Sequence, residues 1–156
     1  EPARRLEAVD CVARRTGASL PNDLMMTSEQ VLQLHRAGMQ IGAHTCTHPI
    51  LSTVPDELAA KEIFDSKVAL ENLVGEPVTM FAYPNGRPGK DYLARHAAMA
   101  RAAGFVGAVS TAPGVSGVAA DTYQLPRFSP WDTDRVMYGA RMLANLRSVH
   151  PAVASA

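Results

Sequence analysis

His44 and His48, in the stretch IGAHTCTHPILS from Ile41 to Ser52, put two imidazoles four positions apart, with Cys46 between them and Pro49 directly after. Neutral imidazole is the commonest protein ligand for zinc and similar ions, and a catalytic site uses about three protein ligands and leaves one position open. This pair could supply two of them. On a helix two such histidines would share a face, but Pro49 biases His48 away from helical geometry and the segment reads as a strand end. Left extended, the two alpha carbons would stand roughly 13 Å apart, too far for one ion, so metal binding requires a turn between them. The plainer reading is a pair of histidines that hydrogen-bond at a strand end. Cys46 has two readings as well: a third ligand, since in an extended segment it alternates onto the side of both histidines, or a small packing residue.

A second stretch, FAYPNGRPGKDY, leaves an apparent strand through a loop stiffened by Pro84, Gly86, Pro88 and Gly89. Exposed backbone N–H groups in such a loop can meet developing negative charge, although a tight turn alone explains the same residues.

The elements that must position these residues alternate between helix and strand. Leu6, Val9 and Ala13 recur at helical spacing with Gly17 as a stop, and a polar loop with Pro21 follows. Thr27 and Gln30 have capping-box spacing and open a short helix through Val31 and Leu34 that stops at Gly38. MQIGAHT reads as a short buried strand. Pro55 suits a first helical turn, and Leu58, Ile63, Val68 and Leu73 carry a long helix to Gly75. VTMFA is the next strand, Asp91 to Ala103 a helix closed by Gly104, FVGAVST a third strand and YQLPRF a fourth. Val136, Ala140 and Leu143 mark a last helix, before a tail that reads as frayed. Such an order makes a parallel sheet with helices outside it, an α/β fold whose chemistry collects at the carboxyl ends of the strands. Those ends are His44 to Pro49, Tyr83 to Pro88, Ser110 to Pro113, and Arg127 to Trp131.

Length and composition set outer limits. The 156 residues suffice for one compact domain, and 15 basic residues against 15 acidic ones give no electrostatic reason to expect nucleic acid or an anionic membrane as partner. Pro, Gly or charge interrupts every apolar run before the length of a transmembrane span. Cys11 and Cys46 make no disulfide framework.

HTCTH and FAYPNGRPGKDY, preceded by MTSEQVLQLHRAGMQ and followed by GFVGAVST, together resemble the polysaccharide deacetylase family, the NodB-homology or carbohydrate esterase family 4 domain, over about residues 25 to 132. The family's metal motif is His-Ser/Thr-x-x-His, filled here by His44, Thr45 and His48. The resemblance implies a partial, distorted (β/α) barrel: residues 1–24 as a helix and loop, 25–147 as the C-terminal part of the deacetylase domain, and 148–156 as a tail. It implies a divalent ion, zinc by preference with cobalt, nickel or iron also suited, and hydrolysis of an N-acetyl or O-acetyl group on a polysaccharide or sugar by a metal-bound water. His44 and His48 would be metal ligands, and Asn85 would present its backbone N–H to the tetrahedral intermediate. Tyr83, Pro84, Gly86 and Trp131 would meet substrate, although Tyr83 and Trp131 could equally be core or interface anchors.

Three departures accompany the resemblance. The family takes a third metal ligand and a catalytic base from an Asp-Asp motif on its first strand, and no adjacent Asp pair occurs here, so the motif is expected upstream of Glu1. Where many members carry an Arg that orients the base, Ala82 stands, and Arg127 in LPRFSPW is the expected replacement. The late Leu-x-His motif is missing too, since Ser148 precedes His150 at that spacing. His35 and His96 lie in helical patterns, as surface or packing residues. A cytoplasmic protein is the expectation from relatives with this pattern. The alternative function is a non-catalytic remnant or a module that binds metal or sugar.

Overall fold

A computed structural model describes residues 2–18, 21, 23–128, 131–148 and 151–155. Helix α1 is Pro2–Thr16, and α2 is Ser28–Arg36. The Thr27–Gln30 capping box forms as the sequence predicts: the Gln30 N–H donates to Thr27 Oγ1 and the Thr27 N–H to Gln30 Oε1. After a single 3-10 turn, Leu51–Thr53, come α3 (Asp56–Val74), β1 (Met80–Ala82), α4 (Ala94–Ala102), β2 (Gly107–Val109) and α5 (Arg135–Asn145). Gly75 closes α3 in the left-handed conformation.

β1 and β2 pair in parallel, Met80 opposite Gly107 and Ala82 opposite Val109. Single parallel bridges extend the sheet on both sides, Ala43 to Phe81 and Val109 to Leu125. The order across the sheet is therefore the order along the chain, each strand added on the same side as the last. That is the winding of a (β/α) barrel rather than of a doubly wound sheet.

The outer strands are shorter than their sequence suggests. MQIGAHT contributes one paired residue, and of its apolar members only Ala43 is buried, while Met39 is exposed. Gly42 runs close to the neighbouring chain, a Cβ there falling 3.3 Å from the Met80 carbonyl, and the chain turns away at Thr45. YQLPRF likewise keeps one bridge, at Leu125.

The core lies between the sheet and helices α3 and α4. Phe81 meets Tyr83 edge-on at 5.2 Å and Phe105 at 5.3 Å, and Tyr83 stacks on Tyr92 at 3.9 Å. The inward face of α3 is Ala59, Glu62, Ile63 and Ser66; Leu58 and Val68, part of its expected apolar stripe, are exposed. Helix α4 starts three residues later than expected because Asp91 and Tyr92 are buried before it. Within the tail Ala154 is docked rather than frayed: Gln124 accepts from the Ala154 N–H and donates to its carbonyl, as a strand partner would, and Ala154 is buried. Among the described residues no helix is long and apolar enough to cross a membrane.

A candidate metal centre at the strand ends

The Ala43 bridge puts His44 at the carboxyl end of its segment, where its Nδ1 lies 2.7 Å from the Ala82 carbonyl oxygen. A carbonyl only accepts, so Nδ1 carries the proton and Nε2 is left with its lone pair for a ligand. Burial, the largest influence, pushes the His44 imidazole below its ordinary pKa, and the nearby His48 and the charge of Arg127 act in the same direction against the Ala82 bond. The neutral, metal-competent form is favoured.

The turn that metal binding requires is present. Thr45 (φ 63°) and His48 (φ 56°) both occupy the left-handed region, a strained choice for a β-branched residue. Thr45 Oγ1 accepts from the His48 N–H at 3.1 Å and bridges the bend. The two imidazole rings meet edge to face with centroids 4.8 Å apart, close enough to share an ion. Glu62, reaching up from α3, accepts from the N–H groups of Cys46 and Thr47 and from the Thr47 hydroxyl.

Cys46 does not join the pair. Its Sγ lies 3.9 Å from the Glu62 carbonyl, burial and the Glu62 carboxylate raise its thiol pKa, and no cluster of three His, Cys, Asp or Glu residues able to hold a metal occurs among the described residues. The structure thus does not bring Cys46 into a three-ligand group with the histidines.

Beyond β1 the chain makes a three-residue turn, Gly86 N–H to Pro84 carbonyl at 2.7 Å, centred on Asn85 with φ 56°. Turns of this size with a left-handed centre are rare and strained. Thr111 holds this one from behind, its hydroxyl donating to the Asn85 carbonyl and its N–H to the Gly86 carbonyl. Arg87 and Asp91 clamp the next residues through two side-chain bonds, at 2.7 and 2.9 Å, and the Arg87 N–H donates to the same carboxylate. Asp91 is 1% exposed, and the Arg87 guanidinium holds its carboxyl below the usual range. Ser52, four residues past His48, ties the two loops together: its hydroxyl donates to the Lys90 carbonyl and its N–H to the Asp91 carbonyl.

Three of the residues expected at substrate are buried. Tyr83 and Pro84 are fully buried, and the Tyr83 hydroxyl donates to the Tyr123 carbonyl, so both build the loop rather than line a surface. Gly86 is buried against Thr111. Trp131, 85% exposed, borders an open cleft of about 690 Å³ together with Arg127, Phe128 and Thr111. The Arg127 side chain is exposed and its backbone N–H donates to Ala112.

His96 is a packing residue, its Nδ1 accepting from the Leu93 N–H, and His35 lies half-buried, 3.7 Å from Glu76. His150 lies outside the described residues. Glu62 and the Arg87–Asp91 clamp were not anticipated from sequence. The one available signal for Glu62 was a carboxylate on the stripe Ala59, Ile63, Ser66.

The sequence profile of the polysaccharide deacetylases matches residues 13–107, which include His44, His48 and Asn85 but not Arg127 or Trp131. YxkH of Bacillus subtilis (strain 168), named for the same family, is 28% identical over 111 residues, 71% of this chain and 38% of the relative. The Streptococcus pyogenes deacetylase PplD, solved in complex with acetate, superposes with a TM-score of 0.63 at 25% identity over 69% of this chain and 46% of its own. A Bacillus cereus polysaccharide deacetylase gives 0.64 at 21% identity over 78% and 38%. The chain thus spans less than half the length of each of these relatives. With the small open parallel sheet wound like theirs and the profile covering most of its length, the chain belongs to the polysaccharide deacetylase family.

Proposed function

We propose that His44 and His48 hold a divalent ion, and that the protein uses it to hydrolyse acetyl groups, N-linked or O-linked, on a polysaccharide or sugar. The observation that carries this reading is the convergence of the two imidazoles at 4.8 Å with His44 Nδ1 fixed on a carbonyl, which leaves Nε2 for metal. Zinc suits these ligands best, with cobalt, nickel or iron also accepted. Such an ion supplies polarisation of the acetyl carbonyl and lowers the pKa of water toward about 7.

The chain's own residues then divide the remaining work. The Asn85 N–H, on the outside of its strained turn, donates to the oxygen that gains charge as water adds to the acetyl carbon. Arg127, whose charge is felt at His44, positions the carboxylate base that the reaction needs. Trp131 walls the cleft against the acetylated ring. Water adds to the acetyl carbon, the bond from that carbon to nitrogen or oxygen breaks, and acetate leaves with a free amine or hydroxyl on the sugar. Acetate is the molecule with which the similar S. pyogenes deacetylase was solved.

The test is acetate release from an acetylated glycan by the intact protein after zinc loading. His44→Ala and His48→Ala should each abolish release while keeping the fold; wild-type rates in both would overturn the proposal. A second reading, a module that binds metal or sugar without turnover, is favoured by one observation: no third His, Cys, Asp or Glu joins the pair among the described residues. Stoichiometric zinc with no acetate released would select it.

A further inference from the structure

The turn between the histidines is organised by a side chain that lies outside it. Glu62 is 8% exposed on the inward face of α3. Its Oε2 accepts from the N–H groups of Cys46 and Thr47, and its Oε1 from the Thr47 hydroxyl, each at 2.8 Å. Burying a carboxylate is costly unless it is paired or fully hydrogen-bonded. Among the described residues no Lys or Arg forms an ion pair with Glu62, so these three donors are its compensation, and all three belong to the span between the two imidazoles.

The span needs such an anchor. Thr45 and His48 hold left-handed backbone that persists only when its surroundings over-determine it. A chain free to relax toward extended geometry would carry the imidazoles apart, toward the roughly 13 Å of an unturned segment. We infer that Glu62 is a positioning residue: it holds residues 45–48 in the one turn that brings His44 and His48 together, and so sets the affinity of the pair for a divalent ion. Apparent affinity falls in proportion to the fraction of molecules in the binding-competent turn. The inference rests on the metal-centre reading above for its consequence, although the geometry it explains exists without metal.

Two measurements on the intact protein separate the inference from that reading. The first is the nuclear Overhauser contact between the His44 and His48 rings in metal-free protein. It should be present in wild type and in Glu62→Gln, whose carbonyl oxygen can accept both N–H groups while its amide faces the Thr47 hydroxyl, and lost or much weakened in Glu62→Ala. The second is zinc titration by calorimetry, with circular dichroism as a check on folding. Glu62→Ala should weaken binding about 10- to 100-fold and Glu62→Gln by no more than about threefold, the scale on which groups that orient metal ligands act. Should Glu62→Ala fail to fold, Thr47→Val, which removes one of the three bonds, should weaken both the ring contact and zinc binding by a smaller factor.

Persistence of the ring contact at wild-type strength in Glu62→Ala, or in Thr47→Val where the alanine variant does not fold, overturns the inference. Zinc binding within twofold of wild type in that variant does the same. A ring contact that depends on Glu62 in a wild-type protein that binds no zinc overturns the metal reading alone and leaves the positioning role in place.

Discussion

Replacing Gly86 by alanine tests the architecture behind Asn85 with a built-in control at Gly89. Both glycines are left-handed, at φ 75° and 72°, so alanine at either carries a similar backbone penalty of about 1 kcal/mol. They differ in what an added methyl meets. At Gly89 nothing lies within 4 Å, whereas at Gly86 the new carbon would fall 3.1 Å from Thr111 Cγ2, the Thr111 N and the Tyr83 carbonyl oxygen. Two of those three atoms are backbone and cannot rotate aside, so the extra cost is that of overpacking, about 1–3 kcal/mol. Gly89→Ala should therefore lose about 1 kcal/mol and Gly86→Ala about 2–4 kcal/mol, read as the shift in urea midpoint at constant slope. With this chain length, each kcal/mol corresponds to roughly 2–4 °C in Tm. Gly86→Ala should also lose acetate release beyond what its stability explains, since relief of the clash displaces the Asn85 turn. Equal destabilisation by the two substitutions would refute the claim that Thr111 and Tyr83 enclose this turn.

Two further outcomes follow from the clamp and the cleft. Asp91 has its carboxyl held below the usual range, first by the side-chain bonds from Arg87, so the stability it contributes is present above its unfolded pKa of about 3.9 and lost as pH falls through the lower folded value. The gap in stability between wild type and Asp91→Asn should be full at neutral pH and shrink below about pH 4; a gap unchanged down to pH 2 contradicts the pairing. Arg127→Lys should cut acetate release at least about tenfold with zinc content unchanged, because a lysine keeps charge but not the planar fork; full activity would remove Arg127 from the mechanism.

Local signals in the sequence translated well where the physics is local. The Thr27–Gln30 box and the glycine stops at 38, 75 and 104 depend on a few neighbouring dihedrals, and each appears in place. The need for a turn between His44 and His48 followed from chain reach alone. Glu62 was illegible for the opposite reason: a glutamate in a long helix reads as solvated surface, and its role arises only when α3 packs under residues 15 and 16 positions back. A place in a motif loop says nothing about which way Tyr83 and Pro84 face, and for Tyr83 the stacking on Tyr92 favours the core reading that stood beside substrate contact. Strand length was overestimated at Ile41 because apolar composition does not reveal that Gly42 and Thr45 leave one residue to pair.

Ser52 grips its neighbour loop entirely through main-chain oxygens, those of Lys90 and Asp91, while the Lys90 side chain itself stands in solvent. The Lys90 side chain thus takes no part in the hydrogen bonds that join the two loops. Lys90 reaches the frame only as a nearby charge that helps keep the Asp91 carboxyl low, whereas Ser52 contributes both a hydroxyl and an N–H. A library randomised at both positions and selected for folding should therefore keep wide diversity at 90 and favour hydroxyls at 52.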